Sequence, residues 1–131
     1  MKRMIPILLM MTLLLPGCTA SNPVAEANTY RQITMQEAVE MMEKEENYII
    51  LDVRTHDEFA AGHIPSAIVV PNETIGTEDI PQLPDKDQLI MVYCRSGNRS
   101  KQASDKLVKL GYTNIVEFGG IIDWPGEVVT D

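Results

Sequence analysis

Residues 89–110, which read LIMVYCRSGNRSKQASDKLVKL, decide the fold of this chain. They begin with the apolar run Leu89–Tyr93, which is typical of a buried parallel strand. A short loop containing glycine follows, and apolar side chains then recur at helical spacing from Ser100 to Leu110, where Gly111 ends the predicted helix. Because a strand followed directly by a helix is part of a βαβ unit, this stretch predicts a parallel sheet.

The same alternation of strands and helices extends over the rest of the chain. Apolar runs predict four more strands, at Tyr30–Ile33, Tyr48–Val53, Ala67–Val70 and Ile115–Phe118. Helical patterns predict two more helices, at Met35–Glu45 and His56–Ala61, and the three prolines of residues 71–88 predict a loop. We therefore predict an α/β fold with a five-stranded, mostly parallel sheet and helices on both faces. One domain over residues 30–131 accounts for all of these elements.

The first residues of the chain resemble an export signal. Lys2 and Arg3 precede the apolar run Met4–Leu15, which is shorter than the roughly 20 residues that a membrane-spanning helix needs. The run ends in Leu-Pro-Gly-Cys at residues 15–18, which resembles the lipobox of bacterial lipoproteins. In that class of protein the signal is removed before the cysteine, whose thiol then carries a diacylglycerol.

The lipobox resemblance implies three segments ahead of the domain boundary. We expect a signal peptide at residues 1–17, a lipidated Cys18, and a flexible tether that completes residues 18–29. Two acyl chains on one residue give stable anchoring, so we expect an exported bacterial lipoprotein, anchored in the membrane and facing the extracytoplasmic side. The alternative is an ordinary signal peptide cut near Ala20, in which Cys18 has no such role.

The charge distribution excludes one class of function and favours another. The chain has 11 Lys and Arg against 19 Asp and Glu, so its formal net charge is −8, and we expect no nucleic-acid partner. Residues 94–109 nevertheless contain five basic residues and a single acid. A positive segment on an acidic protein attracts small anions, so we expect an anionic ligand at this segment.

The loop CRSGNRS, at residues 94–100, has the features of an anion-binding site. It leaves the carboxyl end of a parallel strand, which is where ligands bind in this architecture. Its backbone N–H groups can form a nest, the following helix N-terminus adds donors, and Gly97 allows a positive φ. Arg95 and Arg99 supply fixed positive charge. All of these features favour a thiolate at Cys94, which would then be a nucleophile at neutral pH.

Four motifs resemble those of the single-domain rhodaneses, a family of sulfurtransferases. In chain order they are DVR at 52–54, EF at 58–59 with GHIPSA at 62–67, CRSGNRS at 94–100, and GGIIDW at 119–124. The second resembles the family's GHIPGA, with Ser66 where the family usually has glycine. The resemblance covers residues 30–127, and four motifs in this order and spacing are far more specific than one.

The resemblance implies that a sulfane sulfur moves in two covalent steps. The Cys94 thiolate attacks the outer sulfur of a small anionic donor such as thiosulfate and becomes a persulfide, and a thiol or cyanide-like acceptor then takes the sulfur. The substrate-binding loop would comprise Arg95, Ser96, Gly97, Asn98, Arg99 and Ser100. Asp52 and Arg54 would support the pocket rim, and we expect Arg54 to pair with Glu58. We expect no metal or organic cofactor, and a monomer.

Two other functions remain open from the sequence. Phosphatases of the cell-cycle dual-specificity type share this fold, but they have five residues between the cysteine and the closing arginine. Here four residues separate Cys94 from Arg99, and Tyr93 stands where those phosphatases have histidine.

The other alternative is a non-catalytic module that binds anions or persulfides, although inactive domains of that kind typically lack the cysteine. His56 and His63 have no third ligand nearby in sequence, so we do not expect a metal site.

Overall fold

The structure is a computed structural model that describes residues 29–130. Its strands are β1 (Arg31–Gln32), β2 (Tyr48–Asp52), β3 (Ile68–Val69), β4 (Leu89–Cys94) and β5 (Ile115–Gly120). Its helices are α1 (Met35–Lys44), α2 (His56–Ala61) and α3 (Asn98–Lys109), with short 3₁₀ helices at Asn72–Thr74 and Ile121–Asp123. The predicted signal peptide, Cys18 and all but the last residue of the predicted tether lie outside the described residues.

The five strands form one sheet in the order β1-β5-β4-β2-β3. All four strand pairs are parallel, which confirms the predicted sheet. The apolar run of residues 89–94 is the central strand, because strands buried on both faces need continuous apolar sequence. In this register Tyr93 lies opposite Asp52 on β2, and Cys94 lies opposite Gly120 on β5. The carboxyl ends of the three middle strands therefore meet at one edge of the sheet.

Alternate side chains of β4 enter the two halves of the core. Ile90, Val92 and Cys94 belong to one buried cluster, which includes Ala103 and Leu107 of α3. Met91 and Tyr93 belong to the other cluster, which includes Ala38 of α1 and is flanked by Phe59 of α2. Helices consequently cover both faces of the sheet, as the sequence predicts.

Two helices begin with the same capping device. The Thr34 side chain accepts a hydrogen bond from the Glu37 N–H, and the Glu37 carboxylate accepts one from the Thr34 N–H. Thr55 and Glu58 repeat this box at the start of α2. A cap of this kind contributes about 1 kcal/mol to helix stability. The second box also directs the Glu58 carboxylate toward the loop after β4.

The two edge strands are shorter than the apolar runs suggest. Strand β1 covers only Arg31–Gln32 and β3 only Ile68–Val69, although the Ile33 and Val70 N–H groups also donate to the neighbouring strand. Residues 71–88 form a loop with one 3₁₀ turn, consistent with the prediction. In the part of the chain described here, no helix is long and apolar enough to cross a membrane.

Candidate active site

Cys94 lies at the end of the central strand with its sulfur enclosed by the loop that follows. Its side chain is buried, and the Gly97 N–H donates a hydrogen bond to Sγ at 3.0 Å. This tight turn requires Gly97 to adopt a φ of 109°, in the left-handed region that favours glycine. Helix α3 begins at the next residue, so its positive N-terminal end lies beside the sulfur.

The surroundings of Cys94 favour its thiolate form. Burial raises the pKa of the thiol, but hydrogen bonds to the sulfur outweigh burial and leave the pKa below its ordinary value. The Cys94 sulfur lies 3.4 Å from the Ser100 hydroxyl, to which the thiol donates and from which a thiolate can accept, and the backbone N–H groups of Ser100, Gly97 and Ser96 also bond to it. Cys94 is a free thiol. Hydrogen-bond donors around a thiol favour its thiolate, which is the nucleophilic form.

The double glycine of the GGIIDW motif packs against the backbone of the loop of residues 94–100. A Cβ atom on Gly120 would collide with the backbone of Arg95 and with the Cα of Ser96. The Ile122 N–H donates to the Arg95 carbonyl at 3.3 Å, which ties the loop to the segment after β5. Gly119 has a φ of 99°, which also favours glycine. The end of β5 therefore allows the loop of residues 94–100 to approach closely.

Arg99, rather than Arg54, forms the ion pair with Glu58. The two guanidinium nitrogens of Arg99 donate to the two carboxylate oxygens of Glu58, at 2.7 and 2.9 Å. The predicted Arg54–Glu58 pair is therefore wrong. The capping box holds Glu58 on the side of α2 that faces the loop, within reach of Arg99. The hydrogen bond from Arg99 is the main reason that the pKa of Glu58 falls to about 2.

Arg54 instead belongs to a buried network with Asp52. Its guanidinium donates to both Asp52 oxygens, with Nη2 2.7 Å from Oδ2, and also donates to the Gly62 carbonyl at 2.7 Å. The Tyr93 hydroxyl donates to Asp52 Oδ2 at 2.7 Å and accepts from the Ile64 N–H. Burial raises the pKa of Tyr93 well above its ordinary value, so the hydroxyl keeps its proton.

The Asp52 network lies beside the loop rather than in it. Within residues 29–130, neither Asp52 nor Arg54 hydrogen-bonds to residues 94–100. Burial lowers the pKa of Arg54, but its bonds to Asp52 outweigh burial and raise it, so the guanidinium stays charged. Asp52 and Arg54 therefore hold the segment after β2 in place. The hydrogen bond from Tyr93 to Asp52 links this segment to β4, the strand that ends in Cys94.

The remaining loop residues face solvent or the rim. Arg95, Ser96 and Asn98 are exposed, whereas Arg99 is half-buried. The structure thus places Gly97 and Ser100 around the Cys94 sulfur and leaves Arg95 exposed on the solvent side of the loop.

His56 is exposed at the start of α2, and His63 is buried with its ring stacked on Phe59 at 3.8 Å. Among the described residues there is no group of three or more His, Cys, Asp or Glu side chains that could hold a metal.

Glu117 is a site residue that sequence reasoning missed. It is 2% exposed, and its Oε1 lies 2.7 Å from Ser100 Oγ and 2.8 Å from the Gly119 nitrogen. The pattern of residues 115–118 predicts only a strand. An acid inside a buried strand is unusual, because burying a charge is costly, and this was the signal that could have found it.

The chain is similar to known proteins of one family. Residues 34–126 match the family described as the rhodanese-like domain. The chain is 40% identical over 80 residues to a sulfurtransferase from Allochromatium vinosum, over 60% of this chain and 73% of that protein. It is 33% identical over 73 residues to the thiosulfate sulfurtransferase PspE from Escherichia coli, over 56% of this chain and 70% of that protein.

Solved structures show the same fold. A rhodanese-related protein from Thermoplasma volcanium is 30% identical, with a TM-score of 0.65, over 78% of this chain and 100% of that one. The match of the family to most of the chain and the likeness of the folds confirm the resemblance that the four motifs suggest. This chain belongs to the rhodanese-like domain family.

Proposed function

We propose that the protein is a sulfurtransferase that moves a sulfane sulfur from a donor such as thiosulfate to a thiophilic acceptor through a persulfide on Cys94. The observation that carries this proposal is the Cys94 sulfur, which faces hydrogen-bond donors of its own loop and has a lowered pKa. The relatives named sulfurtransferase and thiosulfate sulfurtransferase support the same chemistry.

In the first step the Cys94 thiolate attacks the outer sulfur of thiosulfate. A bond forms between Sγ and that sulfur, the S–S bond of thiosulfate breaks, and sulfite leaves with the electron pair. The terminal persulfide sulfur then carries the negative charge. The loop N–H groups and the helix N-terminus that stabilise the thiolate are suited to stabilise this anion as well.

The two arginines of the loop have different parts in donor binding. Arg99 is held by Glu58, so its charge is partly neutralised and its position is fixed. Arg95 is exposed, and its guanidinium has no ion pair within residues 29–130. Of the two loop arginines, Arg95 is therefore the one placed to attract the oxyanion end of the donor.

In the second step the acceptor attacks the outer sulfur of the persulfide. A bond forms between the acceptor and that sulfur, the persulfide S–S bond breaks, and Cys94 leaves as a thiolate. The hydrogen bonds that lower the thiol pKa make Cys94 a better leaving group, since a more stable thiolate leaves faster. The enzyme returns to its starting state after each sulfur that it transfers.

Initial rates of thiocyanate formation from thiosulfate and cyanide test this function. We expect parallel double-reciprocal lines when the two substrates are varied, which is the pattern of a two-step covalent mechanism. Cys94→Ser, which keeps the side-chain size, should abolish activity. Full activity in Cys94→Ser would contradict the proposal, and a persulfide that forms on Cys94 but is never passed on would favour the binding module.

We also propose that the protein acts outside the cytoplasm from a lipid anchor on Cys18. The support is the Leu-Pro-Gly-Cys segment at residues 15–18. In a bacterial host fed a labelled fatty acid, the wild-type protein should be labelled and partition into detergent. Cys18→Ser should lose both properties, and a labelled Cys18→Ser protein would contradict the proposal.

A further inference from the structure

The Ser100 hydroxyl lies between two groups that can each be an anion. Its Oγ is 3.4 Å from the Cys94 sulfur and 2.7 Å from Glu117 Oε1. The backbone carbonyls of Gly97 and Gly119 also face it, at 2.9 and 3.4 Å, and both can only accept. A hydroxyl has one proton to donate, so Ser100 cannot donate to the thiolate and to the carboxylate at the same time.

Glu117 is buried and has no cation beside it among residues 29–130. Its neighbours are the Ser100 hydroxyl, the Gly119 N–H, and the Gln32 amide, whose Nε2 is 3.4 Å from Oε2. Within residues 29–130, no lysine, arginine or histidine forms an ion pair with it. A buried carboxylate with no cation is costly, and the cost falls if the group holds a proton for part of the time.

We propose that Cys94 and Glu117 share one proton through the Ser100 hydroxyl. In the first arrangement, the thiol donates to Ser100 Oγ and Ser100 donates to Glu117 Oε1. In the second, the Sγ–H bond breaks as its proton joins Ser100 Oγ, and the original hydroxyl proton moves to Oε1. A thiolate and a carboxylic acid result. The number of protons and the net charge of the trio do not change.

This inference rests on the proposed function. In sulfur transfer, Glu117 would be a positioning residue that acts on Cys94 through Ser100. When a donor arrives, the buried thiol can become a thiolate without passing a proton to water. When Cys94 is released from its persulfide, Glu117 can return the proton by the same route. The state in which both groups are anions is disfavoured by their like charges.

Other charged groups act on the pair from the elements around it. Arg99 of α3 favours the thiolate, although Glu58 of α2 already neutralises part of its charge. Arg95 faces solvent at the mouth of the loop, and β1 contributes only the uncharged Gln32. In the part of the chain described here, Glu117 is therefore the one acidic side chain that is linked to Cys94 by buried hydrogen bonds, which run through the Ser100 hydroxyl.

The test is the pH dependence of Cys94 alkylation by iodoacetamide in the full-length protein. Glu117→Gln keeps an oxygen for Ser100 and Gly119 but removes the charge and the proton site. We expect its alkylation midpoint to move down by about one pH unit, which makes alkylation about tenfold faster below the midpoint. Ser100→Ala should move the midpoint up, because the thiolate loses a hydrogen bond. Glu43→Gln, an exposed acid of α1, controls for net charge and should leave the midpoint in place.

A second measurement on the unaltered protein protects the test against a variant that misfolds. In a ¹³C NMR titration, the Glu117 carboxyl carbon should show an inflection at the pH where the Cys94 Cβ titrates, because coupled groups report shared steps. Cys94→Ser should remove that inflection. An unmoved or raised midpoint in folded Glu117→Gln, or a Glu117 carbon insensitive to Cys94, would overturn the proposal. Neither readout needs a sulfur donor, so failure here is distinct from failure of sulfur transfer.

Discussion

The Arg99–Glu58 ion pair gives the sharpest stability prediction. Glu58→Gln removes the negative charge but leaves a side chain of the same length. Gln also serves at the third position of a capping box, so the bond to the Thr55 N–H is retained and α2 keeps its cap. The substitution therefore isolates the charge that holds Arg99 over the loop.

The magnitude follows from the pKa of Glu58. Its fall from 4.5 to about 2, caused mainly by the Arg99 hydrogen bond, would correspond to roughly 3 kcal/mol if it were fully expressed. The Glu58 side chain is 31% exposed, so solvent screening reduces this value, and we expect a loss of about 1 kcal/mol in Glu58→Gln. A depressed carboxyl pKa stabilises the fold above the unfolded pKa. This stability is lost as the pH falls from about 4.5 to about 2.

Urea unfolding at pH 7 and near pH 2.5 measures the effect. Glu58→Gln should be less stable than the wild type by about 1 kcal/mol at pH 7, and most of the difference should disappear at the lower pH. Glu43→Gln changes the same charge on an exposed face of α1 and should show neither effect. An equal loss at both pH values would refute the reasoning, because the destabilisation would then come from packing rather than from charge.

Three further predictions concern the loop and the network beside it. Gly120→Ala should lower the rate of sulfur transfer about 100-fold, because its Cβ displaces the loop of residues 94–100. Gly76→Ala is the control, since its Cβ contacts no atom, and it should keep the wild-type rate. Equal rates in the two variants would show that the contact between Gly120 and the loop does not matter for activity. Arg95→Gln should raise the KM for thiosulfate about fivefold with little change in kcat, and an unchanged KM would remove Arg95 from donor binding. Tyr93→Phe should cost about 2 kcal/mol in urea unfolding, since it leaves the buried Ile64 N–H without a partner and removes one of the hydrogen bonds to Asp52. An unchanged free energy of unfolding would show that the Tyr93 hydroxyl does not stabilise the network.

Contiguous features of the fold could be predicted from the sequence. The strand, loop and helix of residues 89–110 are neighbours in the chain, so apolar runs and a glycine suffice to predict them. The Thr34 and Glu37 capping box is equally local. The edge strands β1 and β3 are shorter than predicted, because an apolar run does not show how far it pairs with its neighbour in the sheet.

Contacts between segments that are distant in the chain could not be predicted from the sequence. Glu58 lies four residues after Arg54 and 41 residues before Arg99, so spacing alone favours the wrong partner. The choice is made by Asp52, which binds Arg54, and by the direction in which α2 presents Glu58. Glu117 reaches Ser100 only because β5 lies beside β4 in the sheet. The order of the strands, which no single motif encodes, therefore completes the site.

The central claim is that Cys94 carries the transferred sulfur, and intact mass spectrometry tests it most directly. The protein is measured before and after incubation with thiosulfate, and again after cyanide, with Cys94→Ser in parallel. We expect a gain of one sulfur atom on Cys94, its removal by cyanide with release of thiocyanate, and no gain in Cys94→Ser. No gain on a Cys94 shown to be a free, reduced thiol, or a gain that persists in Cys94→Ser, would contradict the account.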